Sequence, residues 1–308
     1  MTLKGFIPAV ILVLAAVLLR FWIVPLQTRL PADFSNELTY QAEDRFRESP
    51  DGEWFTSSLT ARGTQQALAV SGNIVLIQSE LHWYSETDEI ILESSGLYGV
   101  DRDTRLNITA YGDTPRQGQF LFPAHAEKKK RTHWDSQYIG PRSADYERTE
   151  TRDGLQVYVF RFHAEGLDET DGYNALPGVP ERLHAYTDGE GTFWVEPVSG
   201  VVVDYEEQGL SYFTDPISGK RLSDFHGWSA HYAPETRAVQ QELARAARLR
   251  ILALETYLPF TLLFAAFVVL IRSLREATLS GCEGERRSNL PLYNEIASTE
   301  ERRTQVQV

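Results

Sequence analysis

The chain has 308 residues and one cysteine, and its 43 acidic residues outnumber 30 Lys and Arg, leaving a formal net charge of −13. That balance excludes a nucleic-acid-binding surface, which needs clustered cations on phosphates. A lone cysteine excludes both an intramolecular disulfide and a four-thiolate metal site. The mean hydropathy of −0.31 looks soluble only because it averages two apolar segments near the ends with an acidic stretch between them.

From Gly5 to Leu19 every residue is apolar or small, and after Arg20 the run resumes as Phe21-Trp22-Ile23-Val24. At 1.5 Å per residue, residues 5–26 are long enough to span a bilayer, with Arg20 snorkelling to headgroups beside Trp22. Lys4 before an apolar core also fits a secretory signal. No small-x-small cleavage site follows, so the expectation is an uncleaved signal anchor. The second apolar segment is 251–271, uncharged from Leu258 to Ile271, with Glu255 at its interface and Pro259 set to kink it. Arg272, Arg275, Arg286 and Arg287 suit a cytoplasmic tail, while Arg245, Arg248 and Arg250 oppose that orientation. Residues 27–250 carry 36 acidic and 22 basic residues. We expect this acidic segment outside the cytoplasm and both termini inside.

Residues 27–233 read as a β-rich extracytoplasmic domain. Ala67-Leu68-Ala69-Val70, the run 73–78, the run 89–93, Leu155 to Phe162 and the run 192–196 are short stretches rich in β-branched and aromatic residues, bounded by Gly, Asp, Asn, Ser and Pro. Alternation at Leu155, Val157 and Val159 predicts antiparallel sheet with one wet face. The expected fold class is therefore α+β, a large antiparallel sheet between N-terminal and C-terminal transmembrane helices. One local pattern recurs at Asp101 to Thr104, Glu196 to Gly200 and Asp215 to Gly219: an acid, then Arg or Pro, then a hydroxyl residue. These are expected to be β-turns in which the acid or hydroxyl side chain bonds backbone N–H groups, since a calcium loop needs a denser carboxylate ladder.

Pro234 and Glu235 open a predicted amphipathic stalk helix over 234–250, with Val239, Leu243, Ala246 or Ala247, and Leu254 on one stripe. Residues 272–308 form a polar tail, expected to be disordered and cytoplasmic.

Leu18 to Pro25, Leu30-Pro31-Ala32-Asp33, Gly99 to Thr104, Phe122-Pro123 ahead of His133-Trp134-Asp135, and Phe193 to Asp204 before a closing apolar helix resemble an actinobacterial membrane-protein family labelled porin PorA. The resemblance covers about residues 5–275 and implies two membrane anchors around an extracytoplasmic domain. It implies no activity and no catalytic residues. The segment after Leu279 does not match the family pattern.

His125, His133 and Asp135 lie close in sequence, but residues two apart share a face on any strand, and no third ligand has metal-site spacing. His226 and His231 lack helical i, i+4 spacing. Ser71-Gly72 and Ser94-Ser95-Gly96 lack a G-x-S-x-G elbow, and Glu206-Glu207 reads as a solvated strand edge. Lys128 to Arg131 reads as a solvated hairpin tip, with docking of anionic headgroups as the sharper alternative. Cys282 reads as a free thiol in the tail, with palmitoylation as the alternative. No catalytic or metal residues and no cofactor are expected, and a ligand site is not identifiable.

The short, charge-interrupted strands do not suit a lipid-facing barrel. The expectation is a non-catalytic envelope protein that binds a lipidic or other apolar ligand or acts as a scaffold, with membrane lipids and an envelope ligand or protein as partners; the alternative is an oligomeric channel. Ala9, Ala15 and Ala16 with Ala265 and Ala266 would let the two spans pack closely. Arg20 and Glu255 would then either pair across the helices or snorkel separately to water.

Overall fold

The computed structural model describes residues 3–47, 51–135, 140–170 and 179–276. It contains two compact units, Thr28–Ile251 and a second formed by residues up to Gln27 with those from Leu252 onward.

Unit Thr28–Ile251 is built on eleven strands: β1 (Ser35–Phe46), β2 (Phe55–Ser71), β3 (Ile74–Tyr84), β4 (Ile90–Asp101), β5 (Asn107–Gly112), β6 (Arg131–Asp135), β7 (Gly140–Arg152), β8 (Leu155–Asp168), β9 (His184–Val195), β10 (Val202–Thr214) and β11 (Arg221–Tyr232). They form one sheet in the order β5-β4-β3-β2-β1-β11-β10-β9-β8-β7-β6, with every strand pair antiparallel. The strands are longer than the sequence runs suggest, and β2 reaches 17 residues. Only every second residue needs to be apolar. On β2 the two buried inner positions are Ala61 and Gly63, while Thr56, Ser58, Thr64 and Gln66 face water, so hydropathy alone marks little of it.

The sheet closes on itself at one level. Gln119 bridges Leu106, beside β5, and His133 in β6. Gln119 N donates to Thr132 O at 2.7 Å, Trp134 N donates to Gln119 O at 3.0 Å, and Phe120 N donates to Arg105 O at 2.8 Å. A single extended residue thereby joins the two edge strands. From this segment Phe120 packs on Tyr98 of β4 at 4.8 Å between ring centres, and Phe122 packs on Phe160 of β8 at 4.9 Å. These contacts identify the inner face of the barrel. It carries Val75, Ile77, Tyr98 and Val100 on one side, and Ala144, Phe160, Phe162, Phe193 and Val195 on the other, all buried. Burying each Phe contributes about 1.5–3 kcal/mol.

The three recurrent turns adopt one geometry. In each, the acid accepts from the backbone N–H groups two and three residues on and from the hydroxyl three residues on: Asp101 from Asp103, Thr104 and Thr104 Oγ1 at 3.1, 2.7 and 2.8 Å; Glu196 from Val198, Ser199 and Ser199 Oγ at 3.2, 2.7 and 2.7 Å; Asp215 from Ile217, Ser218 and Ser218 Oγ at 3.1, 2.7 and 2.8 Å. The fifth residue has positive φ in all three, Gly200 at 77°, Gly219 at 67° and Arg105 at 63°. Glycine takes that conformation freely, whereas Arg105 is held there by its own contacts. Its guanidinium donates to Thr28 O at 2.8 Å and to Arg102 O. Burial pushes that guanidinium's pKa down to about 10.

Helix α3 (Pro234–Leu252) follows β11 directly; we number it after α1 (Leu3–Leu18) and α2 (Val24–Thr28). It buries Thr236, Gln240, Ala244 and Ile251, and leaves Val239 and Leu243 about half exposed, 55% and 49%. The helix is therefore rotated away from the apolar stripe expected from its sequence. The strand end sets this phase: Ala233 N donates to Thr39 O at 2.9 Å, Thr236 Oγ1 then receives Thr39 N at 2.9 Å, and Gln240 Nε2 donates to Asn36 Oδ1 at 2.8 Å. Farther along, Ala244 packs among Leu155, Val157, Trp194 and Val203 on the outer face, and Arg248 pairs with Glu196 at 2.7 Å.

In the other unit, α1 passes through a π-helical turn, Leu19–Ile23, and the helical run Pro234–Glu276 contains a second, Ala253–Tyr257. Both runs are long and apolar enough to cross a membrane. Ala9 and Ala16 of the first and Ala266 of the second are buried, a small-residue seam that permits close approach. Arg20 and Glu255, one in each π-helical turn, pair at 3.1 Å. Of the two expectations for these charges, cross-helix pairing is the one observed.

Candidate functional site

The barrel interior changes character along its length. At the proximal end, where Thr28 enters and α3 leaves, it is aromatic: Tyr205 meets Phe193 at 5.1 Å, Tyr232 at 5.8 Å and Tyr40 at 6.0 Å. Burial, reinforced by the nearby Asp204 charge, drives the Tyr232 phenol's pKa upward, so it stays neutral. Midway, the Trp228 indole lies across Gly209, where any Cβ would collide with the ring. Toward the distal end, with the β1–β2, β8–β9 and β10–β11 connections, the same face becomes polar. His226 Nε2 meets Asp44 Oδ1 at 2.6 Å, Thr187 Oγ1 meets Ser211 Oγ at 2.7 Å, and Glu169 accepts from Thr187 Oγ1 at 2.5 Å. Arg142 and Glu207 are buried on the same face. Burial raises the Glu169 carboxyl above its ordinary pKa, against the opposing pull of Thr187, Arg142 and His226.

This cluster sets Ser211, His226 and Asp44 on adjacent strands, yet it is not a nucleophilic triad. His226 Nδ1, the nitrogen left after the Asp44 bond, has no hydrogen-bond partner, so Ser211 Oγ has no base in reach. Among the described residues no group of three His, Cys, Asp or Glu side chains converges with metal-ligand geometry.

The outer face is charged. A groove of about 700 Å³ crosses it, lined by Glu43, Arg45, His163, Glu165, Asp188 and Glu190 among others. Two of its carboxylates are already held: Arg161 and Gln208 hold Glu190 at 3.1 and 2.7 Å, and Arg221 and Tyr212 hold Asp188 at 3.5 and 3.3 Å. Such a surface is hydrated and salt-bridged, unsuited to an apolar ligand.

The residues singled out from sequence scatter. His133 is half-buried, its ring 4.9 Å from Phe193, while His125 sits at a positive φ of 56° with its N–H on Val198 O; the Asp135 side chain lies outside the described residues. His231 is exposed on β11, whereas His226 joins the interior cluster. Ser71 ends β2 and Ser94 lies within β4. Glu206 and Glu207 part company: Glu206 faces water and Glu207 is buried inside, because the pair lies mid-strand and not at an edge. Lys128 to Arg131 is not a hairpin tip but the approach to β6. Lys128 lies 5.0 Å from the Tyr158 ring, Lys129 pairs with Glu127, and Lys130 reaches Asp145 at 3.7 Å. Cys282 lies outside the described residues. Arg142, Glu169 and Thr187 escaped sequence reading, since each is an ordinary polar residue until the strands curl.

Fold and site together define a class: an antiparallel barrel whose interior is aromatic at one end and polar at the other, with a charged exterior, in a chain that also carries two long apolar helices. The chain belongs to the Porin PorA family, whose model matches residues 5–275. No curated protein matches it. Solved structures similar to parts of it include a DUF1329 family protein from Desulfovibrio piger, at 9% identity and TM-score 0.19, covering 75% of this chain and 90% of that one. Another is a LolA superfamily protein from Nitrosomonas europaea, at 11% identity and TM-score 0.16, covering 68% of this chain and 90% of that one.

Proposed function

We propose that this protein is a non-catalytic component of the cell envelope, anchored by both apolar helices with residues 27–250 outside the cytoplasm, whose barrel binds a lipidic or other apolar ligand or serves as a scaffold. The polarity of the barrel carries this reading. A lipid-embedded β-barrel needs an apolar outer band and a polar lumen. Here β1 turns Glu37, Gln41, Glu43 and Arg45 outward, while Phe160, Phe162, Phe193 and Tyr205 fill the inside. A barrel of that polarity belongs in water, with the helices as its membrane anchors. The aromatic proximal half of the interior offers apolar contact to a ligand.

The test is full-length protein purified in mild detergent and extracted with organic solvent. Recovery of one apolar species in near-equimolar amount supports ligand binding, and recovery of none leaves the scaffold. The family description favours a second reading, an oligomeric channel, in which the helices line the pore. Discrete conductance steps in planar bilayers would select it over the first. Protease added to spheroplasts reads orientation, since digestion of the middle segment is expected.

A further inference from the structure

The barrel wall is one strand short over its distal half. β5 meets β4 only at Tyr98↔Gly112 and Val100↔Asn107. The ladder is then stopped at Leu97, whose N–H is taken by Asp113 Oδ2 at 2.9 Å and whose carbonyl receives Asp113 N at 3.1 Å and Arg116 Nη1 at 2.9 Å. From Gly96 back to Ile90, no described strand lies beside the outer edge of β4. Every second N–H and C=O along an antiparallel strand points away from its one neighbour, so this stretch presents a row of unused ladder groups. Exposure agrees: Ile90 and Ile91 are each 54% exposed, and Ser94 is exposed although it belongs to the inner face. Nothing in the stretch blunts the edge. Residues 90–96 contain neither Lys nor Pro, the usual protection of a free edge.

We propose that residues 90–96 are a strand-addition site for an extended segment of another protein, in which apolar residues alternate with basic ones. The pattern follows from the two faces that an added strand would continue. Inside it would extend the cluster of Trp83, Leu81 and Leu92. Outside it would lie beside Ile91, Glu93 and Ser95, with His82 and Glu80 one strand farther. Two carboxylates on this outer side, beside an apolar cluster on the inner one, select side chains of that alternation, with the backbone supplying affinity. A second copy fits less well, because antiparallel self-pairing of β4 needs a two-fold axis across the strand, which places the two copies' anchoring ends on opposite sides.

The test uses full-length protein in detergent micelles and synthetic eight-residue peptides alternating valine with arginine or valine with glutamate. The valine–arginine peptide should slow amide hydrogen exchange at 90–96 at least tenfold while leaving β9 and β10 unchanged. The same peptide N-methylated at alternate residues should lose that protection, since it cannot complete the ladder. Glu80→Lys with Glu93→Lys should reverse the preference between the two peptides. The proposal is overturned if neither peptide slows exchange there, if the N-methylated peptide protects equally, or if protection arises without peptide as protein concentration rises, which would make a second copy the occupant.

Discussion

The turns at Glu196–Gly200 and Asp215–Gly219 share one chemistry, acid, proline, aliphatic, serine, glycine, and nearly identical hydrogen bonds, yet their surroundings have little in common. Glu196 is fully buried and receives Arg248 from α3 at 2.7 Å, so this turn clamps the helix to the proximal end of the barrel. The Asp215 turn stands at the distal end, with Ile217 95% exposed. Asp101 lies between these cases: its turn holds the chain leaving the first apolar helix, through Arg102 Nε on Leu30 O at 2.7 Å and Arg105 on Thr28 O. A five-residue sequence therefore specifies a geometry, and its energetic weight comes from what the finished fold sets against it.

The largest effect should come from Glu196→Ala. It removes three hydrogen bonds and the Arg248 pair from a buried site, and a loss of about 2–4 kcal/mol in unfolding free energy is expected from denaturant titration followed by tryptophan fluorescence. Arg248→Ala should cost less, about 1 kcal/mol, because that side chain is 35% exposed and its loss leaves Glu196 its turn contacts. If the two substitutions cost the same, the helix clamp and not the turn is what Glu196 serves.

Arg105→Ala should cost about 1–3 kcal/mol by releasing Thr28 O and Arg102 O while keeping a Cβ at positive φ. Arg105→Gly should recover part of that loss, since glycine accepts the φ of 63° without strain. Equal losses would show that the guanidinium contacts outweigh the backbone.

The acid limb of stability should distinguish the turns as well. Burial alone would raise the Asp101 carboxyl, but bonds from Thr104, Asn73 and Asp103 outweigh it and hold its pKa below 3.8. The sign follows: a depressed carboxyl contributes stability that is complete above its unfolded pKa and is lost as pH falls through the folded value. Asp101→Asn should therefore flatten the stability profile below about pH 4. Glu169, raised by burial, works in the opposite direction. Its contribution falls as pH rises from the ordinary glutamate value through the folded one, so Glu169→Gln should gain on the parent protein from about pH 4.5 upward in thermal melts. The smallest effect belongs to Asp215→Ala, which should leave the unfolding midpoint unchanged within error despite deleting the same three hydrogen bonds as Glu196→Ala. A midpoint shift comparable with that of Glu196→Ala would break the comparison.

Legibility from sequence tracks the range of the interaction. The turns could be read because an acid and a hydroxyl three residues apart bond their own backbone, whatever else the chain does. The two apolar helices could be read because length and uninterrupted apolarity are local, and Pro234 marked the start of α3 because proline suits a first turn. The candidate site could not be read. Asp44 and His226 stand 182 residues apart, and nothing around Glu169 or Thr187 announces that they will share a buried cluster.

By itself the sequence determined the helix positions, the turn geometries, the antiparallel character of the sheet and the family pattern over residues 5–275. Only the tertiary structure decided that Gln119 would join both edges of the sheet, that Glu207 would turn inward while Glu206 stays in water, that Arg20 would meet Glu255, and that α3 would bury Thr236 and Gln240 instead of Val239 and Leu243. Each of these depends on register between segments far apart in the chain. A strand's alternation says which residues share a face, and its pairing with distant strands decides which face becomes the inside.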